Sequence, residues 1–79
     1  MDVKQTVLEA AALRGQRRFN DAIELVEKNY EGLDPDLRVM ALIEAFKAAD
    51  EATLVEKAKA LAHQIAIEEP DLPSIQSYL

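Results

Sequence analysis

A lone histidine, three pairs of acids and three clustered arginines are the residues in this chain that could carry chemistry. His63 is the only histidine and there is no cysteine. A metal ion or a general base needs several convergent partners, and one imidazole without a thiolate or a second imidazole has none. His63 is therefore read as a surface residue. The pairs Asp34/Asp36, Asp50/Glu51 and Glu68/Glu69 would support acid–base catalysis only if carboxylates met in a pocket. Each pair falls at an expected helix end, where acids cap or face water. No glycine-rich phosphate loop and no nucleophile beside a base occurs. The chain is read as a non-enzyme, with no catalytic, cofactor-binding or metal-binding residue. Arg14, Arg17 and Arg18 close the first expected helix. Their simplest role is to complement its C-terminal dipole. A sharper one is to meet an acidic partner, including the acidic segment of a second copy.

Charge narrows the partners. The net charge is −6, with +2 over residues 1–19, −5 over 20–37, zero over 38–59 and −3 over 60–79. Nucleic acid is not expected, because non-specific affinity comes largely from cations that neutralise phosphates. Two tyrosines are too few for a base-stacking surface. No apolar run approaches the roughly 18 residues that would span a bilayer, and the N-terminus lacks the basic and apolar regions of a signal peptide. A cytoplasmic protein is expected.

What must position these residues is a set of helices. Two glycines and three prolines punctuate the 79 residues, and strand signals are absent. Asp2 and Gln5 resemble a capping box, and Val3, Val7, Ala10, Ala11 and Arg14 follow helical spacing, with Leu8 and Leu13 widening the stripe. Gly15 offers a stop. In the second helix Phe19, Ala22, Ile23, Val26 and Tyr30 share a face, and Gly32 ends it. Asp34 caps and Pro35 opens a third helix. That helix is apolar almost all round, as a central helix should be. The fourth is expected to bury Leu54, Ala58, Leu61 and Ile65, with Val55, Ala62 and Ala66 flanking, before Pro70 and Pro73 close it. The spacing predicts helices over residues 2–15, 19–31, 35–49 and 52–68, plus a short C-terminal turn, in one all-α domain.

A shift of 35 residues superimposes the two halves. Pro35-Asp36-Leu37 lands on Pro70-Asp71-Leu72, Glu9-Ala10 on Glu44-Ala45, Phe19 on Leu54, Val26 on Leu61 and Tyr30 on Ile65. This divides residues 1–79 into one unit over about 1–35, a second over about 36–70 and a tail over 71–79. The stretch FNDAIELVEKNYEGLDP resembles the second helix of a tetratricopeptide (TPR) repeat. Phe19 precedes the small Ala22, Val26 follows, and Asp-Pro starts the next unit. Leu54, Ala58, Ala62 and Pro70 occupy comparable places in the second unit, and Ala10 and Ala45 take the small position of each first helix. The pattern departs from the family where Thr6 and Leu13, then Ala41 and Ala48, stand for its tryptophan and tyrosine. Glu9 and Glu44 stand for its leucine, and the period of 35 compares with about 34.

The resemblance implies two antiparallel helical hairpins stacked as a short solenoid, whose first helices line a groove for a protein or peptide partner. Candidate lining positions are Lys4, Leu8, Ala11 and Arg14, then Val39, Ile43, Phe46 and Lys47, with Arg17 and Arg18 at the end of the first helix. Of these, Leu8, Ile43 and Phe46 are read as core rather than groove, since apolar residues at helical spacing pack inward. With so few units, part of the outer apolar faces is expected to stay open, favouring self-association. The competing readings are a helix-turn-helix-type DNA-binding domain, with residues 34–49 as recognition helix, and a non-catalytic appendage of a larger enzyme.

Overall fold

The computed structural model describes residues 3–69, and their side chains from Gln5 onward. The described chain is all-α: α1 (Val3–Gly15), α2 (Phe19–Asn29), α3 (Pro35–Glu51) and α4 (Val55–Glu68), with a single 3-10 turn at Tyr30–Gly32. The expected caps at Asp2, Pro70 and Pro73, and the tail over 71–79, lie outside the described residues.

α3 is central. It packs against α1, α2 and α4, whereas the main packing of α4 is on α3 alone. The sequence reason is its all-round apolar pattern: Ala41, Leu42, Ala45, Phe46, Ala48 and Ala49 are all buried. α2 is the most sharply two-faced helix, with Ala22, Ile23 and Val26 inward and Asp21, Glu24, Glu27 and Lys28 exposed. The core is built largely of alanines; Ala10, Ala22, Ala41, Ala45, Ala48, Ala49, Ala58 and Ala62 are all buried. Small side chains at facing positions let helix axes approach to the short end of the usual ~8–10 Å range. Leu42, Ile65 and Val26 fill the remaining space. The result measures 33 × 26 × 16 Å, with a radius of gyration of 11.4 Å.

Both hairpin turns end their helices in the same way, and neither uses a glycine. After α1, the Arg18 N–H donates to the Leu13 carbonyl and the Arg17 N–H to the Arg14 carbonyl, each at 2.9 Å. After α3, the Leu54 N–H donates to the Ala49 carbonyl at 2.9 Å and the Thr53 N–H to the Asp50 carbonyl at 3.1 Å. This is the paired hydrogen-bond pattern of a Schellman ending, whose turning residue must be left-handed. Arg17 (φ 64°) and Thr53 (φ 58°) take that conformation, 36 positions apart.

Several local expectations are corrected here. Gly15 is the last residue of α1 and Gly32 lies inside the 3-10 turn; neither has positive φ, so neither supplies the stop. α2 gives way to the 3-10 turn at Tyr30 rather than running to residue 31. α3 extends two residues past 49, and α4 begins at Val55 because residues 52–54 are used by the left-handed turn. Asp34 does occupy the N-cap of α3 with Pro35 behind it, but its side chain makes no capping hydrogen bond. Leu54 precedes α4 and is partly exposed, and Val55 is 59% exposed. The buried face of α4 is instead Ala58, Leu61, Ala62 and Ile65. Leu33, in the loop before α3, is a core residue that helical spacing could not register.

Candidate interaction surface

The seam between α1 and α3 brings candidate binding residues of both helices together, with Arg14 at its centre. Short turns make successive helices antiparallel, so α1 and α3 run in the same direction. The contacts of Arg14, near the end of α1, with Glu44 and with Glu51, at the end of α3, agree with this. On α1 the residue that reaches α3 is Arg14, with the half-buried Ala11 one turn before it. On α3 the row beside it, spaced i, i+4, i+7 and i+11, is Met40, Glu44, Lys47 and Glu51.

Arg14 is not a free binding cation. Its Nε donates to Glu44 Oε2 at 2.9 Å and its Nη1 to Glu51 Oε1 at 3.4 Å, with the Arg14 and Glu44 side chains largely covered. The hydrogen bond to Glu44 raises the guanidinium above its ordinary value, against an opposing push from burial, and the charges of both glutamates add to the rise. The supposed arginine cluster thus divides three ways. Arg14 ties two helices together, Arg17 is the exposed left-handed turn residue, and Arg18 pairs with Asp21 at 2.9 Å within α2.

Leu8 overturns the expectation that it is core: it is 63% exposed. The inward positions of α1 are Thr6 and Ala10, with Val7 and Leu13 packed beside them, which turns Leu8 to the far side. Phe46 is buried and Ile43 packs against the core, as their spacing indicated. Ala11 and Val39 are half-buried, and Lys47 is exposed with no ion-pair partner among the described residues. Lys4 lies in the first turn of α1, and its side chain is outside the described set. Met40, missed from sequence, is 51% exposed on the seam row. Its signal was available, since it precedes Glu44 and Lys47 by one and two turns. The seam therefore presents Met40 and one unpaired ammonium at Lys47 on α3, and a neutralised ion-pair cluster around Arg14, with Leu8 exposed on the outer side of α1.

A second polar cluster locks the opposite end. The Tyr30 hydroxyl donates to Glu68 Oε1 at 2.8 Å, and the Arg38 guanidinium lies 5.5 Å from the Tyr30 ring centroid. Arg38 also donates from Nε to the Leu33 carbonyl and approaches Glu68 at 3.9 Å. The hydrogen bond to Glu68, then burial and the Glu68 charge, raise the Tyr30 hydroxyl above its ordinary value, while Arg38 pulls it down. Between α2 and α4, Lys57 pairs with Glu27 at 2.9 Å.

His63 is exposed on α4, and among the described residues no group of three His, Cys, Asp or Glu side chains converges on a metal-sized site. No described helix is long and apolar enough to cross a membrane. The chain matches no family model, no curated protein and no solved structure.

Proposed function

We propose that this chain is a non-catalytic docking module, tetratricopeptide-like in organisation, that holds a protein or peptide segment along the α1–α3 seam. The observation that carries the reading is the exposure of Met40 on α3 beside the unpaired Lys47, where the neighbouring charges already neutralise one another, with a second exposed apolar side chain, Leu8, on α1. Such a surface suits a segment that offers an apolar anchor and a nearby carboxylate. The duplicated-hairpin reading is supported by the matching turns at Arg17 and Thr53, each followed by a helix that buries residues one and two turns in, Ala22 and Val26 in α2 and Ala58 and Ala62 in α4. The spacing is 36, so Phe19 corresponds to Val55 rather than to Leu54, the pairing of the 35-residue shift. A cytoplasmic setting is part of the proposal, and cell fractionation checks it.

The test is site-specific photo-crosslinking. A crosslinker at residue 8 should capture a defined partner, one at the exposed Gln64 of α4 should not, and Met40→Asp should abolish capture. Equal capture from both positions would reject the seam. The DNA-binding alternative receives less support. The helix it would insert into a groove is α3, which is packed against three neighbours and whose outward row of Met40, Glu44, Lys47 and Glu51 offers one unpaired cation beside two glutamates.

A further inference from the structure

The turn between α3 and α4 forms a second surface, separate from the seam. It holds a cleft of about 240 Å³, with the buried Ala49 and Ala58 at its floor and the exposed Asp50, Val55 and Lys59 on its rim. Val55, 59% exposed, is the most exposed apolar side chain there. Lys59 stands one turn beyond it on α4, and Asp50 belongs to the α3 wall. Neither the Asp50 carboxylate nor the Lys59 ammonium has an ion-pair partner among the described residues.

We propose that this turn is the pairing surface for a second copy of this chain, related by a twofold axis near Val55, with each Asp50 facing the Lys59 of the other copy. Two features of the cleft select a second copy over another occupant. A twofold interface must be complementary to itself. An acid and a base on opposite walls of one apolar cleft meet that condition, because the rotation that stacks Val55 on its equivalent exchanges the two charges. The second feature is net charge. At −6 the chain repels its own copies over most of its surface, and here the rim of the cleft carries one cation, Lys59, against one anion, Asp50. The arginine cluster offers no comparable contact, since Arg14 and Arg18 are already paired within the chain. The patch is smaller than the roughly 800 Å² per partner of a standard interface, so the pairing is weak, concentration-dependent and sensitive to salt.

The pairing does not rest on the docking role. The seam variant Met40→Asp should leave it unchanged, and variants at 50, 55 and 59 should leave seam crosslinking unchanged, so the two ideas fail separately. Sedimentation equilibrium of the full chain into the millimolar range decides it, with helical circular dichroism confirming that each variant is folded. The wild type should dimerise. Lys59→Asp and Asp50→Lys should each weaken self-association about tenfold or more, because each places like charges opposite one another. An equimolar mixture of these two variants should recover a dimer, since acids then meet bases at both contacts. Val55→Arg should abolish pairing without altering helicity. A wild type that stays monomeric throughout would overturn the proposal, as would a mixture no more associated than its components.

Discussion

Arg14 Nε stands 2.9 Å from Glu44 Oε2 while the same guanidinium reaches Glu51 at 3.4 Å, so one side chain holds the end of α1 against two points of α3 that lie two turns apart. The glutamate at 44, which departs from the leucine of the resembled repeat, thus has a structural use. Arg14→Ala should destabilise the fold by about 1–2 kcal/mol, because it removes the hydrogen bonds and leaves Glu44 partly covered without its partner. Denaturant titration of both single variants and the Arg14→Ala/Glu44→Ala double variant should give a coupling of about 0.5–1 kcal/mol. Strict additivity would show that the contact contributes nothing.

The turn residues make a prediction opposite to the one their types suggest. Thr53 is β-branched and left-handed, so Thr53→Gly should stabilise by about 1 kcal/mol once the added freedom of the unfolded chain is deducted. Arg17→Gly should act in the same direction. Gly15 has negative φ and open space where a Cβ would stand. Gly15→Ala should therefore also stabilise, by about 0.5 kcal/mol. Thermal unfolding reads all three. A loss of stability at Gly15→Ala would mean that the glycine, and not Arg17 alone, shapes the turn.

Alkaline pH should loosen the Tyr30–Glu68 tie. An acid whose neutral form is favoured in the folded chain contributes stability in full below its unfolded-state value, here 10.0, and loses it as pH rises through the raised folded value. Melting temperature should fall above that point, and the fall should be shallower in Tyr30→Phe. With Tyr78→Phe as background, ultraviolet tyrosinate absorbance reports Tyr30 alone and should titrate later in folded than in unfolded chain. Coincident titrations would remove the tie from the account.

Packing sets the largest effects. Leu42 is 1% exposed at the centre of α3, and Leu42→Ala should cost about 2–5 kcal/mol, a large share of the stability of so small a domain. Ala45→Leu should cost about 1–3 kcal/mol for the opposite reason, since the helices meet across alanines and have no room for the added methylenes. Urea midpoints test both. A neutral Ala45→Leu would show that the helix contacts are looser than the burial of the alanines indicates.

Much of the fold was legible because it is written in local spacing. Pro35 behind Asp34, the all-round apolar pattern of α3 and the one-sided pattern of α2 each follow from the 3.6-residue helical period, which needs no knowledge of neighbours. The positions of the turns were also legible, but their left-handed residues were not. Glycine is the default there, and only the completed hydrogen-bond pattern shows that Arg17 and Thr53 bear the strain.

The sequence by itself determined that the described chain is a series of helices and that α3 is the one to be enclosed. Tertiary structure alone decided which apolar residues are covered and which charges are used up. Val7 and Leu8 are equally apolar neighbours, yet one packs on the core and the other faces outward, because cover is a property of the helix opposite. Arg14, Arg17 and Arg18 form one cluster along the chain and have three separate roles in space: Arg18 pairs with Asp21 three residues on, but the partners of Arg14 stand thirty or more residues away, where sequence spacing carries no record of distance.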